Sequence, residues 1–169
     1  MKSKIKSILA AILMLTSFSF GLVACDDDDN HANVPSEFEA ALKQQYPDAK
    51  NVEWERKGKY RVAEFVINAV EYDIWYDQSA KCVMTELDYG KNVFLVPDNA
   101  VSAAFAQSEY GTWRIDDIKH YKQLNNEFYV FEVEKQGEPD MDVFYNTSGQ
   151  QLKAIPSDSA PDIRPETVI

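Results

Sequence analysis

Few side chains in this chain of 169 residues are of the types that carry out acid–base or metal chemistry. There are two histidines, His31 and His120, and two cysteines, Cys25 and Cys82. The sequence contains no Gly-x-Ser-x-Gly elbow, no phosphate-binding glycine loop and no His-Glu-x-x-His zinc motif. We therefore expect no enzyme activity, no cofactor and no metal centre.

Cys25 is preceded by residues that resemble a processing signal. It follows a start with three lysines and an apolar run over residues 8–23, and Leu22-Val23-Ala24 comes directly before it. This order resembles the lipobox of bacterial lipoproteins, in which the signal is cleaved before the cysteine and the cysteine is then acylated. The resemblance implies a signal peptide at residues 1–24 and lipid attachment at Cys25. The apolar run is too short to favour a spanning helix.

Residues 25–33 contain four consecutive aspartates and predict a solvated acidic tether. We expect the protein in the cell envelope, anchored by lipid to the outer membrane. Whether it faces the periplasm or the cell surface stays open, because acidic residues after the lipid cysteine resemble different sorting signals in different bacterial groups. Membrane contact is expected only through the lipid on Cys25.

The charge of the chain limits its partners. Loss of residues 1–24 would remove three lysines and no acids, so that 14 basic and 28 acidic residues remain, a net charge of −14. Such a polyanion is a poor candidate for binding nucleic acid. We expect instead an envelope or extracellular protein or peptide with a basic patch. With Cys25 acylated, Cys82 has no cysteine with which to form an intrachain disulfide.

The rest of the chain repeats one pattern. Residues 34–47 and 96–110 each begin with Val-Pro and continue with apolar residues at helical spacing. Residues 59–86 and 127–155 then alternate with period two, and Asp73, Tyr76 and Ser79 match Asp142, Tyr145 and Ser148 at a constant offset of 69. We predict an α+β fold: a tandem repeat of one helix packed on a four-stranded antiparallel sheet, over residues 34–90 and 91–155. Residues 156–169 are expected to form an extended or disordered tail, with a position across the sheet as one option.

A hairpin turn at Asn68-Ala69 places Val62 opposite Trp75 and Glu64 opposite Asp73, on the side turned away from the helix. The second repeat gives the same arrangement. The predicted binding surface therefore consists of two aromatic residues and two carboxylate pairs: Trp75, Phe144, Glu64, Asp73, Glu132 and Asp142. Rings would supply contact area and carboxylates would capture Lys or Arg of a partner.

Three alternatives remain for this surface. In the first, the acids are solvated and both rings pack against the other repeat or a loop. In the second, the acids hold calcium, although EF-hand spacing is absent. Glycoside hydrolysis needs two acids about 5 to 10 Å apart in a cleft, whereas these pairs should be closer and lie on an open sheet. Trp54 is expected in the core, Val83 on the helix side and Cys82 on the outward side beside Trp75.

Short motifs carry a family resemblance over residues 34–155. NVEW, YRVAEF and YDIWYD, with the weaker copies FYVFEV and MDVFYN, resemble the PepSY-like, beta-lactamase-inhibitor-protein-like envelope proteins. The resemblance implies two helix-plus-four-strand units and a role in protein binding or hydrolase inhibition. We therefore expect a non-catalytic, lipid-anchored binding module. The alternatives are a structural envelope component and a binder of a small ligand or divalent cation.

Overall fold

The computed structural model describes residues 34–169. The predicted signal peptide, the lipid-attachment residue Cys25 and the acidic tether lie outside the described residues. Within residues 34–169, no helix is long and apolar enough to cross a membrane.

Two helices and eight strands form the fold. The helices are α1 (Ser36–Gln45) and α2 (Asn99–Gln107); the strands are β1 (Glu53–Lys57), β2 (Tyr60–Ile67), β3 (Val70–Tyr76), β4 (Cys82–Asp88), β5 (Arg114–Gln123), β6 (Asn126–Glu134), β7 (Met141–Asn146) and β8 (Gln151–Pro156). All eight strands belong to one antiparallel sheet, in the order of the sequence. Each strand therefore pairs with the strand that precedes it, and α2 lies in the connection between β4 and β5.

The sheet is continuous across the two predicted helix-plus-four-strand units. Strands β4 and β5 pair over five positions, from Met84 opposite Gln123 to Asp88 opposite Lys119. This pairing uses the strand edges that two separate sheets would leave open, and an unpaired edge is a liability in water. The observed fold is a single sheet with two helices, and its division into two repeats stays a prediction.

Both helices cover the same side of the sheet. Phe38 and Leu42 of α1 pack with Phe65 and Ile74 in one core. Phe105 of α2 belongs to a second core, where its ring stacks on Phe131 with centroids 4.5 Å apart. Every second residue of the strands faces the helices, so the remaining residues form the opposite side, called here the outer face.

The predicted hairpin registers are confirmed. In the first hairpin Val62 lies opposite Trp75 and Glu64 opposite Asp73. In the second, Val130 lies opposite Phe144 and Glu132 opposite Asp142.

A bulge at the end of β3 overturns two placements. The pairing shifts between Trp75 and Tyr76, so that Cys82 lies opposite Tyr76. Cys82 packs with the core beneath α1, and Val83 packs with the apolar cluster of the outer face. Both predictions had the wrong side because an extra residue at a bulge reverses the alternation of the side chains. Trp54 packs against the α1 core as predicted.

The turns after β3 and β7 share one construction. The Asp77 carboxylate accepts hydrogen bonds from the amide and hydroxyl of Ser79 and from the Lys81 amide. The side-chain oxygen of Asn146 accepts the matching three bonds, from Ser148 and Gln150. Ala80 and Gly149 take the left-handed position, with φ of 56° and 84°. The predicted match of Ser79 with Ser148 therefore corresponds to equivalent turns.

Candidate functional site

The outer face carries an apolar cluster although no helix covers it. The members are buried side chains from β2 through β7: Tyr60, Val62, Trp75, Met84, Tyr121, Phe128, Val130 and Phe144. Trp75 is 5% exposed and Phe144 is 0% exposed. The prediction that these two rings are free to contact a partner is therefore wrong.

Residues 156–169 explain the burial. Ile163 and Ile169 pack against the outer cluster, so this tail lies across the outer face of the sheet. Two lysines add to the cover, because Lys57 Nζ lies 5.4 Å from the centre of the Trp75 ring and Lys153 Nζ lies 4.5 Å from the centre of Phe144. The alternative in which both rings pack against another part of the chain is confirmed.

Carboxylates form a second feature of the outer face. The first predicted pair is extended by a further acid, because Asp73 lies opposite Glu64 on one side and Glu86 on the other. The second pair has a neighbour in Asp117, which lies opposite Glu132. We call the six residues Glu64, Asp73, Glu86, Asp117, Glu132 and Asp142 the acidic band.

Two lysines compensate part of this charge. Lys57 Nζ lies 2.9 Å from a Glu64 oxygen and 3.5 Å from an Asp73 oxygen. Lys119 Nζ lies 2.9 Å from Glu86 and 4.0 Å from Asp117. Neither lysine was predicted, because the sequence did not reveal the registers of β1 and β5. A lysine one strand away from an opposed acid pair is the signal that could have found them.

The compensation is incomplete. Burial, followed by the charges of Glu86 and Glu64, raises the pKa of Asp73 to about 7. Burial and the neighbouring Asp88 raise the pKa of Asp117 to about 6. The pKa of Glu132 is also raised, by burial and then by Asp142. Burial strips water from these carboxyl groups and the neighbouring acids repel their charged forms, and the two lysines do not fully offset these effects.

A groove of about 580 Å³ is lined by residues 160–164 and by residues of the outer face. Its apolar floor includes Trp75, Tyr121 and Val130. Its charged residues are five acids and three basic residues: Glu86, Asp117, Glu132, Asp142, Asp162, Lys57, Lys119 and Arg164. The groove therefore combines an apolar floor with a net negative rim.

His120 lies on the other side of the sheet and does not serve this groove. Its ring is 2% exposed, and it contacts the Tyr89 hydroxyl at 3.3 Å through Nδ1 and Glu127 at 3.0 Å through Nε2. Burial, followed by the charge of Lys122, lowers its pKa to about 4. A neutral, fully packed imidazole of this kind has a structural role.

The thiol and the grouped metal-ligand side chains are two further sources of chemistry in a protein. Burial raises the pKa of the Cys82 thiol, which disfavours the reactive thiolate. Within residues 34–169, His, Cys, Asp and Glu side chains do not come together in groups of three or more that could hold a metal ion. The acidic band thus runs across strands β2 to β7 without forming a group of this kind.

The chain is similar to several solved structures from Bacteroides. A BLIP-like protein from Bacteroides fragilis is 29% identical, with a TM-score of 0.70 over 82% of this chain and 97% of that chain. A DUF2874 family protein from Bacteroides uniformis is 28% identical, with a TM-score of 0.64 over 72% and 88% of the two chains. A protein from Bacteroides eggerthii, described as a candidate periplasmic protein, is 26% identical, with a TM-score of 0.64 over 73% and 88%.

No family model matches the chain, and no curated protein matches it. The fold is therefore one that this chain has in common with BLIP-like and DUF2874 family proteins of Bacteroides.

Proposed function

We propose that this protein is a non-catalytic binding module of the bacterial cell envelope, anchored to the outer membrane through lipid on Cys25. Its partner is an envelope or extracellular protein or peptide with a basic patch, which binds at the acidic band of the outer face. Inhibition of a hydrolase is the form of binding that the resemblance to beta-lactamase-inhibitor-like proteins favours. The described periplasmic nature of the Bacteroides eggerthii protein supports the envelope location.

The shortage of positive charge in the acidic band carries this proposal. Asp73 has a pKa of about 7 because it is buried beside Glu86 and Glu64, even though Lys57 lies 3.5 Å away. An additional cation near these carboxylates would lower their pKa values and gain energy from doing so. A Lys or Arg side chain of a partner is the cation that a protein surface most readily selects, and such pairs also accelerate encounter.

The buried rings change the shape of the proposed surface but not its charge. Trp75 and Phe144 lie beneath residues 160–169 and the two lysines, so direct contact with a partner falls to the carboxylates. Glu64, Asp73, Glu132 and Asp142 are all partly exposed. A contact made mainly by charged groups in water has modest affinity and depends on salt.

The fold supports a further part of the proposal, that residues 34–90 and 91–155 are tandem copies of one unit. Each contains a helix followed by four strands, and the turns after β3 and β7 make the same three hydrogen bonds. Duplication would explain why acid pairs occur twice on the outer face, at Glu64–Asp73 and Glu132–Asp142.

A charge-matched comparison tests the binding proposal. The purified protein is titrated with a labelled model peptide of alternating Lys and Ala, and with a Glu and Ala peptide as the reference. Asp73→Asn with Glu132→Gln should weaken binding of the lysine peptide at least tenfold. Glu37→Gln with Glu39→Gln removes the same number of carboxyl groups from exposed positions on α1 and should change the affinity less than twofold. Equal losses in the two variants would show that only net charge matters and would refute the site.

A further inference from the structure

Residues 160–169 cover the outer face without joining the sheet. Strand β8 ends at Pro156, and a 3-10 turn at Ser157–Ser159 leads into the segment. Within residues 34–169, no backbone-to-backbone hydrogen bond links residues 161–169 to a strand. A ninth strand would be held by a ladder of such bonds, so this segment depends on side-chain contacts.

Those contacts are few and specific. Ile163 and Ile169 pack against the outer cluster, whereas Val168 between them is 88% exposed. Gln123 Nε2 donates to the Arg164 carbonyl at 2.8 Å, and the Tyr60 hydroxyl donates to Glu166 Oε2 at 2.8 Å. The segment is therefore attached to the outer face by two aliphatic side chains, one backbone carbonyl and one carboxylate.

The segment also supplies its own local structure. The Thr167 amide donates to the Arg164 carbonyl at 2.9 Å, and the Arg164 amide donates to the Thr167 hydroxyl at 2.9 Å. These bonds close a turn at Pro165-Glu166, and proline fixes one of its backbone angles in advance. A turn that forms locally loses less entropy on docking than an unstructured chain does.

The cover does not fill the space beside it. The groove of about 580 Å³ is lined by residues 160–164 and by the floor formed by Trp75, Tyr121 and Val130. The segment therefore leaves an open groove beside it on the outer face, and the site has room for a larger occupant.

We propose that residues 160–169 are an exchangeable occupant of a peptide site on the outer face. A partner segment that replaces them would have the same chemistry: two aliphatic side chains that flank a turn, with a basic residue before the turn and a carboxylate in it. The outer cluster would bind the two aliphatic side chains, and the Tyr60 hydroxyl would donate a hydrogen bond to the carboxylate. The basic residue takes the place of Arg164, which lines the groove with the acids of the band.

The identity of the partner rests on the proposed binding function, but the exchange itself does not. It is tested with a fluorescein-labelled synthetic peptide of residues 157–169, whose anisotropy is followed as protein is added. Three full-length proteins are compared: the unaltered protein, a release variant with Ile163→Ser and Ile169→Ser, and a control with Val168→Ser. The control changes a side chain of the same segment that does not face the cluster.

The release variant should bind the peptide at least tenfold more tightly than the other two proteins and should still unfold cooperatively. A peptide with serine at both isoleucine positions should not bind. Equal affinity in all three proteins would overturn the exchange. Loss of cooperative unfolding in the release variant would also overturn it, because the fold must not depend on an exchangeable segment. Failure of the lysine peptide to bind the acidic band would refute the proposed function and leave this result unaffected.

Discussion

The hydroxyl of Tyr60 donates a hydrogen bond of 2.8 Å to Glu166 Oε2, across 106 residues of sequence. Tyr60 begins β2 and is buried, whereas Glu166 is exposed. The bond holds the pKa of Glu166 below its usual range. It joins the first hairpin to the final turn of the chain and thereby keeps the outer cluster covered.

Replacement of Tyr60 by Phe should loosen the final turn without unfolding the sheet. We expect a loss of about 0.5 to 1 kcal/mol in the free energy of unfolding, since the bond has a charged acceptor but is partly solvated. Amide exchange at Thr167, whose N–H closes the turn, should become faster. Tyr110→Phe is the control, because within residues 34–169 the Tyr110 hydroxyl has no hydrogen-bond partner. Faster exchange in both variants would show that the effect is not due to Glu166.

Asp73→Asn should stabilise the protein at neutral and basic pH. The folded-state pKa of Asp73 is raised to about 7 from an ordinary value of 3.8, so its neutral form stabilises the fold fully below pH 3.8. This contribution to the free energy of unfolding is lost as the pH rises from 3.8 to about 7. The free energy of unfolding of the Asp73→Asn variant should therefore exceed that of the unaltered protein by almost nothing at about pH 4. The excess should reach about 1 to 2 kcal/mol at about pH 8, after allowance for solvent screening.

Urea unfolding midpoints at both pH values measure this excess. Asp48→Asn removes a charge from an exposed position and should show no comparable pH dependence. An Asp73→Asn variant that is equally stable or less stable than the unaltered protein at about pH 8 would contradict the account of the acidic band.

His120→Gln should lower stability near neutral pH, with an effect that shrinks as the solution is acidified. Burial lowers the folded-state pKa of His120 from 6.5 to about 4, with a further contribution from Lys122. The neutral ring therefore stabilises the fold above pH 6.5, and this stability is lost as the pH falls through the interval down to about 4. The stability difference between the two proteins should narrow by more than about 1 kcal/mol over that range.

An NMR titration of the His120 ring gives an independent measurement. Its midpoint should lie well below that of an exposed histidine. A midpoint near 6.5, together with a constant stability difference, would mean that burial and the charge of Lys122 do not keep the ring in its neutral form.

The sequence predicted the local pairings of the sheet because short hairpins fix their own register. The turn at Asn68-Ala69 placed Glu64 opposite Asp73, and the structure confirms it. Long-range pairings were not accessible in the same way. The contact of β4 with β5 joins strands separated by α2, and no turn specifies its register. For that reason the register of β4 against β5 and the lysine opposite Asp88 were missed.

The error at Trp75 and Phe144 has a related cause. Alternation along β3 and β7 correctly assigned both rings to the outer face, but it does not show what covers a face. The outer face is covered by Ile163 and Ile169. They belong to a segment rich in proline, whose position depends on packing and not on periodicity. Similarly, Cys82 and Val83 were misplaced because a bulge has no clear signal in the sequence.

Gly149→Ala should destabilise the protein much more than Gly137→Ala does. Both glycines have positive φ, 84° and 88°, so alanine meets similar backbone strain at the two sites. The surroundings differ, because a Cβ at Gly149 would lie 2.6 Å from the Ala100 carbonyl oxygen of α2, whereas a Cβ at Gly137 meets nothing within 4 Å. We expect losses of about 3 kcal/mol and about 1 kcal/mol, the excess reflecting overpacking against backbone that must shift.

Thermal or urea unfolding of the two variants measures these losses. The difference between them isolates the contact of the β7–β8 turn with the first turn of α2, since the substitution and the backbone angle are matched. Hydrogen exchange should then be faster in α2 for the Gly149→Ala variant alone. Equal destabilisation by the two substitutions would mean that α2 adjusts its position freely and that this turn does not hold the helix on the sheet.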